Sequence, residues 1–290
     1  MAMVLATARS GVTRVWAHRR LLVPFYLANA VFGLMAMLPV GLLLDEYVGN
    51  SLMRERLGVA MDFDFFFEFM FGNGDGLAAA QGVALAVMAI YWIVTLFLSG
   101  GALTVFSRGD YTPPVFWGGA AMWFSRFFRL ALWSLPVLIA FFLIRLAETA
   151  AVRLIWGPDP YEYIVYWGAW VKLVLGYLGL ISYFIVFDYA RIHMVLTDER
   201  SGRRSLVYGL RFAARNWGQT LGLALLLSCV GWLAVAVYAL FSGWMTMPHW
   251  LILILLILGQ QAYILFRMGL RLTSYSSQMQ LYRRLTPLTD

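Results

Sequence analysis

Six apolar stretches, at 21–44, 82–106, 130–147, 167–187, 221–241 and 250–266, are each bounded by charge, aromatic residues or turn formers. A hydrocarbon core about 30 Å thick is crossed by roughly 20 apolar residues in a helix, so each stretch is a candidate membrane span. Composition leaves little room for anything else. The 290 residues are 62% hydrophobic and 13% charged, against roughly 45–50% apolar and about 25% charged in soluble domains. That excludes a soluble enzyme, a disordered tail and a fibrous repeat. The expected fold is an all-α polytopic membrane bundle of six transmembrane helices, a single integral domain over 1–290, with an interfacial helix in an outer loop at 45–81. The first stretch is longer than a signal-peptide core and lacks a small-residue cleavage site, so it is read as a retained span.

Orientation follows from the basic residues, because arginine and lysine near span ends stay on the cytoplasmic side. The N-terminal segment, the second-to-third and fourth-to-fifth connections and the C-terminal end together hold 17 of the 22. The other side holds Arg54, Arg56, Arg145, Arg153 and Lys172 beside ten acids. Both termini are therefore expected in the cytoplasm, the protein being a multi-pass component of the cell's inner membrane. An even number of spans requires the same.

A threefold pattern runs through the chain. Ahead of the first, third and fifth spans an arginine is followed two residues later by an aromatic, at Arg14/Trp16, Arg126/Phe128 and Arg215/Trp217. Each is followed by an apolar run, an outer loop and a returning run, so the unit is cytoplasmic amphipathic segment, helix, loop, helix. Segments 115–129 and 205–216, if helical, carry arginines beside Phe, Trp, Leu or Val, the composition of an interfacial helix that meets anionic headgroups. The positive-inside rule and aromatic belts acting separately on each inner loop would produce a similar pattern.

Motifs for catalysis or metal binding are absent from the sequence. His18, His193 and His249 fall at different membrane edges, and no phosphate loop, nucleophile elbow, zinc-protease or CxxC pattern occurs. No cofactor or metal is expected. Gly72-Asn73-Gly74-Asp75-Gly76 reads as a turn. Cys229, the single cysteine, precludes an intramolecular disulfide and is expected to be a buried structural thiol. The segment 62–71 mixes acids with six phenylalanines, and as a helix it would place Asp64 and Glu68 on one face. It fits a helix on the outer leaflet or a cap over the outer mouth; a divalent-cation site on its acids is the rival reading.

Polar residues inside spans are costly and so informative. Asn29, Ser182, Gln260 and Gln261 are suited to hydrogen-bonding across helices, and Arg145 and Glu148 are placed to meet Lys172, the chain's one lysine. Asp188 lies about 24 Å along a helix from Lys172 and is expected to pair with Arg191 instead. Interhelical glue accounts for this set, and a substrate or proton path is the alternative. Pro39, Pro136, Gly100-Gly101 and Gly176-x-x-Gly179 mark kinks and close contacts, or the broken helices of a transporter. The basic stretch 198–204, with Arg203 and Arg204, suits anionic lipid or a soluble partner. Nucleic acid is a poor partner, since no basic domain stands outside the membrane to hold it.

The run Trp123-Phe124-Ser125-Arg126-Phe127-Phe128-Arg129-Leu130, entering a span, and 206–217 doing likewise, resemble uncharacterised bacterial six-helix membrane proteins related to the glycerophosphoryl diester phosphodiesterase membrane domain. The resemblance implies the six-span layout and carries over no functional residue, and no soluble phosphodiesterase domain is present in this sequence. The functional expectation is a non-enzymatic accessory subunit or membrane-organising factor. It would bind lipids through Arg14, Trp16, Arg126, Phe128, Arg203, Arg204, Arg215 and Trp217, together with a protein partner or a second copy. The alternative is a small-molecule or lipid transporter with a midplane cavity lined by Asn29, Lys172, Gln260 and Gln261.

Overall fold

The computed structural model describes residues 2–49, 63–157, 161–244 and 250–286. Among them are nine α-helices: α1 Ala2–Ala17, α2 Leu22–Val48, α3 Phe63–Gly72, α4 Gly74–Arg108, α5 Pro113–Trp156, α6 Glu162–Thr197, α7 Gly202–Arg215, α8 Trp217–Trp244 and α9 Trp250–Leu285. No strand occurs among the described residues. Six helices are long and apolar enough to cross a membrane, so the all-α polytopic architecture stands.

Helix limits follow local chemistry. Thr112 caps α5 by accepting from the Val115 amide at 3.4 Å, with Pro113 and Pro114 in the first turn, where a missing N–H costs nothing. Ser201 caps α7 in the same way on the Arg204 amide. Asp198 ends α6 in the left-handed region at φ 53°, a conformation its short polar side chain tolerates. Pro39 and Pro136 lie inside α2 and α5 without ending either.

Several expectations are corrected. The expected spans lie within longer helices: 82–106 within α4, 130–147 within α5, 250–266 within α9. The segment 115–129 is no separate interfacial helix, because α5 runs unbroken through it into the span. Nothing between Gly119 and Pro136 would interrupt a helix. The turn expected at 72–76 narrows to Asn73, since α3 reaches Gly72 and α4 starts at Gly74. Cys229 is exposed rather than buried; on an apolar span, a face without protein neighbours is one for lipid. Pro248 and the turn expected at 242–249 lie largely outside the described residues.

The chain forms two compact units. The first comprises residues 1–18, 99–228 and 273–290, and the second 19–98 and 229–272. In the second, Phe65 and Phe69 of α3 are buried against Val48, with Leu43, Tyr47 and Leu77 around them, while Phe66, Phe67 and Phe71 are exposed. In the first unit, Ile185, Phe187, Phe127, Phe116, Leu103 and Met279 are among the buried core residues.

Candidate functional site

The returning helices α4, α6 and α9 begin at residues 74, 162 and 250, each 88 beyond the last, and run 35, 36 and 36 residues. Their C-terminal ends lie in the first unit, where hydrogen bonds join every pair. Arg191 Nη1 on α6 donates to Ser99 Oγ on α4 at 3.0 Å. Gln278 Nε2 on α9 donates to Asp188 Oδ2 on α6 at 3.2 Å. Arg283 Nη2 on α9 donates to the Ser107 carbonyl on α4 at 3.1 Å. The three ends therefore form a triangle.

Three amphipathic segments surround it. The α1 helix packs on α9, with Gly11 against Ser277 and Ser10 hydrogen-bonded to Gln280. The first turns of α5 pack on α4, with Gly119 against Thr104, and Gly101 against the Phe116 carbonyl and ring. The α7 helix packs on α6, where a Cβ on Gly209 would stand 2.6 Å from the Val186 carbonyl and 2.9 Å from the Ala190 amide. Glycine at each crossing lets backbones approach closely. Each segment thus rests on the returning helix of the preceding hairpin, and the first rests on the third. Charge and aromatic rules acting on separate loops have no reason to produce that cyclic order; a triplicated hairpin does.

At the triangle's centre Arg191 pairs with Asp188 one turn earlier, their side chains 6% and 14% exposed. The guanidinium also lies over the Phe187, Tyr275 and Phe127 rings, at 4.6, 5.4 and 5.9 Å from their centroids. Counted back from the helix ends, Asp188 is equivalent to Ser99 and Ser276, and Arg191 to Ala102 and Met279. All three residues at the second position are buried, and only Arg191 is charged. Beside it, His193 Nδ1 and Tyr282 Oη share a 2.9 Å hydrogen bond, and the imidazole stacks on Tyr208 at 3.8 Å.

The residues singled out from sequence are distributed over both units. Asp188 and Arg191 meet as their spacing requires, but Arg191 is a buried core residue rather than a loop charge. Arg145 Nη1 donates to Glu148 Oε2 at 2.8 Å, and Lys172 Nζ approaches Thr149 Oγ1 at 3.5 Å, both in the first unit. In the second, Tyr26 Oη donates to Gln261 Oε1 at 2.7 Å, Asn29 lines a groove with Phe32 and Tyr91, and Gln260 is exposed. Arg14, Trp16, Arg203, Arg204, Arg215 and Trp217 are all exposed, while Phe128 is half-buried. Arg126 donates to Asp198 Oδ1 at 2.6 Å and stacks over Trp123 at 4.7 Å. That bond, then the arginine's charge, holds the Asp198 carboxyl below its usual range. Sequence reasoning missed Ser99, Tyr275, Gln278 and Tyr282; the 88-residue spacing that relates the returning helices shows in the helices and not in the apolar runs, which start at 82, 167 and 250.

The hairpins carry apolar grooves: about 390 Å³ between α5, α6 and α7, about 660 Å³ between α8 and α9, and about 230 Å³ between α2 and α4. Such surfaces suit hydrocarbon, and none of the three linings includes an arginine. Among the described residues no three His, Cys, Asp or Glu side chains gather into a metal site. No family model, curated protein or solved structure matches the chain.

Proposed function

We propose that this is a non-enzymatic integral protein of the inner membrane, with both termini in the cytoplasm, which organises membrane components as an accessory subunit. The observation that carries the reading is α7. At about 100° per residue, Arg204, Arg211 and Arg215 form one exposed stripe, Ser205, Gly209 and Phe212 a buried one, and Leu206, Val207 and Leu210 an apolar edge between them. A helix so divided lies at the interface between headgroups and acyl chains. Trp16 and Trp217, exposed near the ends of α1 and α7, suit the same level.

Gln260 supports a protein partner or second copy. It is exposed about 15 Å along α9 from Trp250, amid exposed Leu255, Ile257 and Leu258. An amide facing hydrocarbon is better satisfied by another helix. Purification in mild detergent tests the reading: retained phospholipid together with a stoichiometric partner or dimer is expected, and neither would overturn it. Orientation is tested in a Cys229→Ala background, where Arg204→Cys and Phe71→Cys should label from opposite sides of the membrane. Labelling from one side removes the topology.

A further inference from the structure

We propose that the groove between α5, α6 and α7 holds one acyl chain of an anionic phospholipid of the inner leaflet, with Arg129, Arg203 and Arg204 meeting its phosphate. The proposal rests on the lipid-binding reading above and assigns it a site. Val137, Phe141, Val186, Leu206, Val207 and Leu210 are among the residues lining about 390 Å³, a volume within the range of about 300–1,000 Å³ typical of small-ligand sites. The groove's three hydroxyls are already hydrogen-bonded. Ser134 and Tyr183 hydrogen-bond each other at 2.8 Å, and Ser182 donates to the Leu178 carbonyl at 2.5 Å. Water entering here would find its hydroxyl partners already engaged, so the lining suits an apolar occupant.

Position makes that occupant a lipid tail. The α5 and α6 walls belong to spans, so the opening faces hydrocarbon. Burying a tail gives almost no hydrophobic gain there, because the bilayer is equally apolar. A lipid is held in preference to its neighbours only through shape and headgroup contacts. Charge complementarity supplies the second. Gly202 packs on Leu130, with its Cβ position 3.3 Å from the Leu130 amide nitrogen, and Arg129 and Arg203 adjoin these two residues in sequence. Arg129, Arg203 and Arg204 are all exposed. Arg203 lies one helical turn from Leu206 and Val207, so cationic and acyl-binding surfaces are neighbours on α7.

The test uses the full chain in vesicles of equal phosphatidylglycerol and phosphatidylcholine, re-extracted in mild detergent, with retained phospholipid quantified by mass spectrometry. The wild type should retain phosphatidylglycerol in excess. Val207→Trp/Leu210→Trp fills the groove from positions that are exposed, and should lose retained lipid of both kinds. Arg203→Gln/Arg204→Gln should keep lipid while losing preference, roughly fivefold for each arginine removed. Should the double tryptophan variant not fold, Val207→Phe gives a smaller plug with the same expectation. Wild-type retention in the plugged variant, or an unchanged preference in the arginine variant, overturns this site and leaves the lipid-binding reading standing. A wild type that retains no lipid overturns both.

Discussion

Replacing Arg191 by Met leaves the Asp188 carboxylate buried, its side chain only 14% exposed, with the Gln278 amide at 3.2 Å as its remaining donor among the contacts described above. Replacing Asp188 by Ser leaves the guanidinium among Phe127, Phe187 and Tyr275 with the Ser99 hydroxyl at 3.0 Å. Stranding one member of a buried pair costs about 3–5 kcal/mol. The double variant is a different perturbation. It installs at Asp188 and Arg191 the residue types that the third hairpin carries at Ser276 and Met279, and it strands no charge. Exchanging a whole buried pair for a well-packed neutral set is often neutral or better, so the double variant should unfold later than either single one. Equilibrium unfolding of the detergent-solubilised protein, followed by the fluorescence of its 12 tryptophans, gives the four free energies, wild type included, that close a double-mutant cycle. Additive losses would refute the coupling and would strip the equivalence of 188 with 276, and 191 with 279, of energetic meaning.

Gly209→Ala should cost about 1–3 kcal/mol, since its Cβ would sit 2.6 Å from a backbone carbonyl and must push α7 off α6. Gly218→Ala, where nothing lies within 4 Å, should be neutral or gain up to about 1 kcal/mol in the same unfolding assay. Tyr282→Phe removes the hydroxyl bonded to His193 and should cost about 0.5–1.5 kcal/mol; no change would mean the bond does not contribute. The Asp198 carboxyl is depressed in the folded protein by Arg126, so the stability it adds is fully present above its unfolded value of about 3.9 and is lost as pH falls through the lower folded value. Thermal midpoints measured down a pH series should show that loss in the wild type and not in Asp198→Asn.

Much of this arrangement was legible because it follows from bulk properties of residue runs. Six long apolar helices and the two-sided character of α7 need only apolar length and periodicity. The Asp188–Arg191 pair needs only helical spacing. What sequence reading lost was depth. Residues 273–282 read Thr-Ser-Tyr-Ser-Ser-Gln-Met-Gln-Leu-Tyr, too polar for a span, and so passed for the beginning of a tail; they are almost wholly buried. Small hydroxyl side chains are what close helix contacts require, so the same polarity that ended the apparent span marks the tightest packing. Arg191 was hidden for a related reason. Counted among topology-setting charges, it carries no sign that one arginine of the 17 turns inward. The fusion of 115–129 with its span depended on an absence, the lack of any breaker before Pro136, while His18-Arg19-Arg20 and Asn216 interrupt the equivalent joins.

The three returning helices meet one another at equivalent ends, and the hairpins differ most in what each adds to that arrangement. The first hairpin adds the phenylalanine-rich α3; the second holds Arg126–Asp198, Arg145–Glu148, Asp188–Arg191 and the chain's one lysine. Scaffold alone does not call for these charges. At the position of Arg191 the other two hairpins close the same triangle with Ala102 and Met279, both buried and uncharged. A buried ion pair is weak as a stabiliser, but the hydrogen bonds this one makes outward, Arg191 to Ser99 and Gln278 to Asp188, tie its helix to the other two. In a threefold ring that is the specific problem to be solved, because a helix end of one hairpin can otherwise be exchanged for that of another. The charged pair makes the second hairpin distinguishable from its siblings. It joins α6 to α4 through Ser99 and to α9 through Gln278, while α7 is held on α6 separately, by the close crossing at Gly209 that sets one wall of the groove.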